Sequence, residues 1–267
     1  YWEYTRSNYF PINGFYLSYT RQTKFGDIEL IFSRGLGGFD KEVLYKDFES
    51  NLTSAGYEIY DHRITDNRCP TNQLSFSFIP SDLKWKLSFQ YRYTGYRDLS
   101  IYLNSNFGQF DTHYQTFHSN QKVFSIERYL TNGTFTFEYQ TRSQSSLLDY
   151  YVAGTDYLVL QQPQVSTNEA FYFQGVYHWN SRLDLFAQYE TYYADKKNKR
   201  LNASISPRTY HRGITAGIRY ELFSGLDVKA EYHSYKGTAL LHPSDNPDDA
   251  NYQKHWNLFA LAVSYQF

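Results

Sequence analysis

Residues 226–233 read Leu226-Asp-Val-Lys-Ala-Glu-Tyr-His233. In an extended chain successive side chains point to opposite faces, so Leu226, Val228, Ala230 and Tyr232 share one face and Asp227, Lys229, Glu231 and His233 the other. A period of two with such contrast is a strand that is apolar on one side and wet on the other. The last residues repeat the pattern: Phe259, Leu261, Val263, Tyr265 and Phe267 alternate with Ala260, Ala262, Ser264 and Gln266. Which face is covered decides the fold.

Working outward, the same alternation recurs in pairs of segments joined by short turn-forming sequences. These are Lys24-Phe-Gly-Asp27, Pro80-Ser-Asp82, Thr131-Asn-Gly133, Asn180-Ser181 and Phe223-Ser-Gly225, each read as a hairpin tip. Twelve strands are predicted, at about residues 1–9, 14–23, 28–34, 73–80, 84–94, 121–130, 134–142, 169–179, 183–193, 210–221, 226–235 and 254–267. Longer polar connections are predicted at roughly 35–72, 96–120, 143–168, 194–209 and 236–253. Short turns at one end and long loops at the other describe an up-and-down antiparallel β-barrel in one domain spanning residues 1–267.

Composition chooses between a soluble and a membrane barrel. Of 267 residues 54 are aromatic (29 Tyr, 21 Phe and 4 Trp), and methionine is absent. A soluble sandwich core would be led by Val, Ile and Leu. Here the apolar rows are aromatic instead: Phe135, Phe137 and Tyr139; Trp85, Leu87, Phe89, Tyr91 and Tyr93; Phe171, Phe173, Tyr177 and Trp179. Such rows match the interface girdles of a transmembrane barrel in a bacterial outer membrane. Turning strand 226–233 round would put Lys229 into lipid at about 2–4 kcal/mol. A secreted all-β adhesin or lectin is the competing reading. One strand resists alternation, because in Val123-Phe-Ser-Ile-Glu-Arg-Tyr129 either Glu127 or Arg128 must face outward, which calls for a bulge or an interfacial position.

Other features exclude more than they assign. The formal net charge of −1 implies no nucleic-acid partner. Cys69 is the single cysteine, so there is no disulfide scaffold and no Cys-based zinc motif; it is read as a loop residue without a redox task. The chain starts at Tyr1 without Met or an apolar leader, and an export signal is expected to have been removed already.

The C-terminal third carries a resemblance. The runs Gly213-Ile-Thr-Ala-Gly-Ile-Arg-Tyr220 and Gly225-Leu-Asp-Val-Lys-Ala-Glu-Tyr-His233, then Lys236-Gly-Thr-Ala239, Asp245-Asn-Pro247 and Trp256 leading to Tyr265-Gln-Phe267, resemble uncharacterised proteobacterial outer-membrane porins related to the phosphate-selective porin superfamily. Ile126-Glu-Arg-Tyr129 with Gly133-Thr-Phe-Thr-Phe-Glu-Tyr139 is similar to an upstream hairpin of that family. The resemblance implies a channel closing with sixteen strands, so hairpins preceding Tyr1 are expected unless this barrel closes with twelve. It also implies that the Tyr-x-Phe ending is read by the barrel-insertion machinery.

The expected site is the lumen wall. Its predicted charges are Glu29, Lys84, Lys86, Arg92, Glu138, Arg142, Asp184, Glu190, Arg219, Glu221, Asp227, Lys229 and Glu231, six basic against seven acidic. A mixed wall orients passing solutes and supplies no ladder of one sign. Lys84, Lys86, Arg92, Arg142 and Arg219 are candidates to touch anions, and Tyr172, Phe186 and Tyr192 to stack on sugars; cross-strand salt bridging accounts for the charges equally well. Loop 35–72 is the expected constriction. The lipid-facing set is Phe259, Leu261, Val263, Tyr265 and Phe267.

Catalytic and metal readings are weak. His118-Ser119-Asn120 and Asp61-His62 place neighbours on opposite faces of a strand, where they cannot share a proton. His113 and His118 lack a ligand spacing. The acidic stretch Asp245-Asn-Pro-Asp-Asp249 fits Ca²⁺ or a divalent bridge to lipopolysaccharide, and equally a solvated turn. The expectation is therefore a non-enzymatic passive channel for small hydrophilic solutes or ions, without cofactor, with outer-membrane lipid and lipopolysaccharide as partners and a homo-oligomer as an open alternative. The alternative is a conduit whose lumen holds a secreted polymer or an electron-carrier protein.

Overall fold

The computed structural model describes residues 12–38, 58–66, 68–95, 97–105, 108–197, 206–239, 241 and 254–265. These form one all-β antiparallel sheet of thirteen strands. They are β1 (Ile12–Thr23), β2 (Gly26–Gly38), β3 (Glu58–Asp66), β4 (Arg68–Pro80), β5 (Trp85–Thr94), β6 (Arg97–Ser105), β7 (Gly108–Leu130), β8 (Gly133–Val152), β9 (Leu158–His178), β10 (Leu183–Tyr193), β11 (Tyr210–Phe223), β12 (Leu226–Lys236) and β13 (His255–Tyr265). The predicted strand 1–9, Phe267 and the stretch 245–249 lie outside the described residues.

The main path runs β1-β2-β4-β5-β7-β8-β9-β10-β11-β12-β13, and β3 pairs with β6, which pairs with β7. The registers explain the two strands off the path. Lower β7 pairs with β5 at Ser119–Arg128, while its first half pairs with β6 at Gly108–Thr116. Thus β6 continues the wall strand of β5 along β7, and β3, paired with β6, continues that of β4. The wall accordingly has eleven strands among the described residues, the up-and-down order that alternation predicted.

All five predicted tips are turns. Leu130 pairs with Gly133 across Thr131-Asn132, and Thr23 with Gly26 across Lys24-Phe25. The Ser224-Gly225 tip needs φ of +87° at Gly225, a conformation that costs glycine nothing. At the β4–β5 tip Leu83 adopts φ of +54° and the Lys84 amide donates to Asp82 Oδ1 at 3.0 Å. Lys84 therefore belongs to the turn and not to the strand expected to begin with it.

The long connections are where expectation and structure part. Residues 58–66, 97–105, 108–120, 143–152 and 158–168 fall in stretches expected to be loops, and are strands. At about 3.3 Å per residue the 23-residue β7 spans roughly 75 Å, against an apolar band of about 25 Å. A strand that runs on past its apolar stretch need not alternate, and Gln, Asn, Ser and Tyr fill the remainder. The described parts of the expected constriction 35–72 are likewise strand: 35–38 in β2, 58–66 in β3 alongside β6, and 68–72 in β4. Cys69 likewise is buried in β4, not in a loop.

Burial distinguishes the two faces. One register row reads Leu30–Phe76–Phe89–Phe124–Tyr139–Phe171 from β2 to β9; the row beside it reads Glu29–Ser77–Ser88–Ser125–Glu138–Tyr172–Glu190 and continues through Gly213 and Tyr235 to Trp256. Phe124 is 40% exposed and its neighbour Ser125 only 8%. Large apolar side chains lie on the accessible face and polar ones on the occluded face, which is the inverse of a water-soluble sheet protein. The resisting strand obeys strict alternation: Glu127 faces the polar side, 3.9 Å from Lys86, and Arg128 the apolar side, its guanidinium 4.3 Å over the Trp85 ring. The solution is an interfacial position and not a bulge, since the β7–β8 register shifts only between Thr116 and His118.

Candidate functional site

The polar face is the candidate site. By register, Glu29, Lys86, Arg92, Glu138, Arg142, Asp184, Glu190, Arg219, Glu221, Asp227, Lys229 and Glu231 all project from it, and so do Tyr172, Phe186 and Tyr192. Lys84 alone of that set is elsewhere, exposed at the β4–β5 tip. Phe259, Leu261, Val263 and Tyr265 stand on the opposite face.

Toward the short turns the charges form a line across four strands. His178 Nδ1 lies 2.7 Å from Asp184 Oδ1; Arg219 spans Asp184 at 3.4 Å and Asp227 at 2.7 Å; Lys229 meets Glu231 at 2.5 Å. These groups are half in water, so each pair is worth about 0–1 kcal/mol. Arg219→Gln should therefore change stability by less than about 1 kcal/mol while removing the cation that Asp184 and Asp227 share. We expect reversal potentials in a salt gradient to shift toward cations; an unchanged reversal potential would remove this line from the conducting path.

One step toward the long connections lies a drier cluster. Glu190 Oε1 is 3.1 Å from His211 Nε2, and both side chains are only 2% exposed. Gln188 donates to Glu190 at 2.7 Å and accepts from Gln174 at 3.2 Å, extending the network to β9. The His211 ring packs on Tyr235 with centroids 4.4 Å apart, and Tyr235 packs on Trp256 at the same distance. Gly213 makes this possible, because a Cβ there would sit 2.0 Å from Tyr235 Cδ1. Phe186 similarly lies over Gly217, where a Cβ would meet its Cζ at 2.4 Å, with Lys229 Nζ 4.9 Å above the ring. The stacking candidates are thus differently placed: Tyr172 is buried, Phe186 is clamped, and Tyr192 is half-buried, accepting from Asn168. His211, Tyr235 and Trp256 are not among the lumen residues expected from the sequence, although the parity that puts Arg219 on this face puts His211 there too.

The residues screened for catalysis do not converge. Ser119 faces the polar side and accepts from Arg142 Nε at 2.9 Å; His118, exposed, contacts Ser145; Asn120 Oδ1 accepts from Tyr91. No group of three or more His, Cys, Asp or Glu able to hold a metal occurs among the described residues. On the apolar face Lys196, from the β10–β11 connection, covers Glu169 at 2.9 Å; this hydrogen bond, helped by Tyr139, raises the ammonium pKa.

No protein-family model matches the chain, and no curated protein matches it. Among solved structures, the NanC porin is 10% identical over 78% of this chain and 98% of its own, with a TM-score of 0.37. The P. putida toluene transporter TodX is 11% identical over 94% of this chain and 72% of its own, TM-score 0.41. The outer membrane protease OmpT from Escherichia coli is 10% identical over 97% and 98%, TM-score 0.27.

Proposed function

We propose that the chain is an outer-membrane β-barrel of a Gram-negative bacterium and acts as a passive channel for small hydrophilic solutes or ions. The observation that carries this reading is the inversion of the two faces: aromatic and aliphatic rows stand exposed, while paired charges, amides and hydroxyls line the occluded side. An exposed apolar surface that circles a sheet needs a hydrocarbon solvent, and a polar interior needs water or polar cargo. Flux down a gradient asks of the protein only a hydrated path, so the reading includes no cofactor and no catalytic group. Kinship with the phosphate-selective porins rests on the runs 126–129, 133–139, 213–220, 225–233, 236–239 and 245–247 and on Trp256 leading to 265–267, and is part of the proposal; phosphate preference is not, since five basic residues of the predicted set stand on the polar face against seven acidic ones.

Reconstitution into planar bilayers tests it. Steady ohmic steps are expected, reduced by neutral polymers small enough to enter and unaffected by larger ones. Silence from a barrel that is demonstrably folded and inserted would overturn the channel and favour a conduit occupied by a partner.

A further inference from the structure

The apolar face changes character at one end. On β10–β13 its outward positions run through Ile214, Ala216, Ile218 and Tyr220, and through Phe259, Leu261, Val263 and Tyr265, with no carboxylate among them. At the end bearing the long connections the same face presents Arg212, Lys236 and His255, in direct register with one another on three adjacent strands, all exposed. Lys236 is four residues, about 13 Å, from the outward Tyr232.

Among the described residues Arg212 is held by rings and not by a carboxylate. Its guanidinium donates to Tyr193 Oη and lies 5.4 Å over the Tyr193 ring and 5.7 Å over that of Tyr210. The nearby outward carboxylate, Glu169, is taken by Lys196. Among the described residues none of Arg212, Lys236 and His255 forms an ion pair with a carboxylate. Cations on an outward face that is otherwise uncharged along β10–β13 are placed where headgroups begin, with a planar guanidinium suited to two phosphate oxygens at once.

We propose that Arg212, Lys236 and His255 bind the phosphates of a phosphorylated glycolipid in the leaflet surrounding the long-connection end of the barrel. This rests on the membrane-barrel reading above. The glycolipid's acyl chains would run down over Ala216, Ile218 and Leu261, and its phosphates would meet the three cations, each basic group near a charged bilayer surface adding attraction.

The test is native mass spectrometry of the refolded protein in neutral detergent, titrated with diphosphorylated lipid A and with the same lipid fully dephosphorylated. The expected result is retention of the diphosphorylated form at least tenfold tighter than the dephosphorylated one, and loss of that preference in R212Q/K236Q/H255Q. The lipid comparison on the unaltered protein stands even if the triple variant folds poorly. Equal retention of both lipids, or an undiminished preference in a folded triple variant, would overturn the proposal. Conductance and the heat-modifiable gel mobility of the same samples keep the two readings apart: a conducting barrel without lipid preference fails here only, whereas a chain that never inserts fails as a membrane barrel.

Discussion

Exchanging two neighbours, I218R/R219I, leaves composition and net charge untouched and should cost about 2–5 kcal/mol of stability in lipid vesicles. Ile218 lies near the middle of the apolar face, between Ile214 and Leu222 on β11, and Arg219 on the polar face between Asp184 and Asp227. Because the side-chain period of a strand is two, the swap carries an arginine into the hydrocarbon, at about 2–4 kcal/mol near the midplane. It also deprives Asp184 and Asp227 of their partner, adding up to about 1 kcal/mol for half-exposed pairs. Reversible urea unfolding in thin bilayers, followed by tryptophan fluorescence, measures the sum. For a water-soluble protein the same exchange replaces a 47% exposed isoleucine by a charge and should be nearly neutral or stabilising. A loss below about 1 kcal/mol would thus contradict the face assignment itself.

The second large effect is expected at Gly213, a position with no chemistry of its own. G213V places branched carbon where Tyr235 Cδ1 now lies, 2.0 Å from an ideal Cβ. The ring cannot simply swing aside: it is packed between His211 and Trp256, and its hydroxyl meets His233 Nδ1 at 2.8 Å. Overpacking of this kind costs about 1–3 kcal/mol, and the buried Glu190–His211 pair adjoining it is disturbed as well. We expect loss of the near-ultraviolet circular dichroism of the Tyr235–Trp256 pair and a destabilisation of about 3 kcal/mol. The double variant G213V/Y235A should recover much of this by removing the ring. An equally damaged double variant would show that β11 backbone, and not ring contact, is what Gly213 protects.

The parts of this fold that were legible in the chain are those where one face is apolar and the other polar. Between Trp85 and Tyr93, or Phe135 and Tyr139, that contrast forces a period of two, and the strands and tips could be placed within a few residues. Past those stretches the constraint lapses, so the upper halves of β7, β8 and β9 carry Gln, Ser and Tyr without a recurring apolar side. One missed strand did leave a trace: Leu99, Ile101 and Leu103 alternate in β6 and were lost among polar neighbours. Facing of the charged residues followed from parity alone, because it depends only on being inside a strand; Lys84 went astray because the turn, set by Leu83 in the left-handed region and by Asp82, extends one residue further than its sequence suggests. The buried cluster of Glu190, His211, Tyr235 and Trp256 was invisible for a different reason. Each of its members comes from a different strand, and only the register aligns them.

The face assignment is open to one direct measurement. In a Cys69→Ser background, spin labels placed singly at positions 226 to 233 and reconstituted in lipid vesicles report collisions with oxygen, which concentrates in hydrocarbon, and with a water-soluble nickel chelate. Oxygen collisions should peak at 228, 230 and 232 and nickel collisions at 227, 229 and 231, the two curves running out of phase by one residue. Curves in phase, or oxygen maxima at Asp227, Lys229 and Glu231, would mean that the aromatic rows do not face lipid.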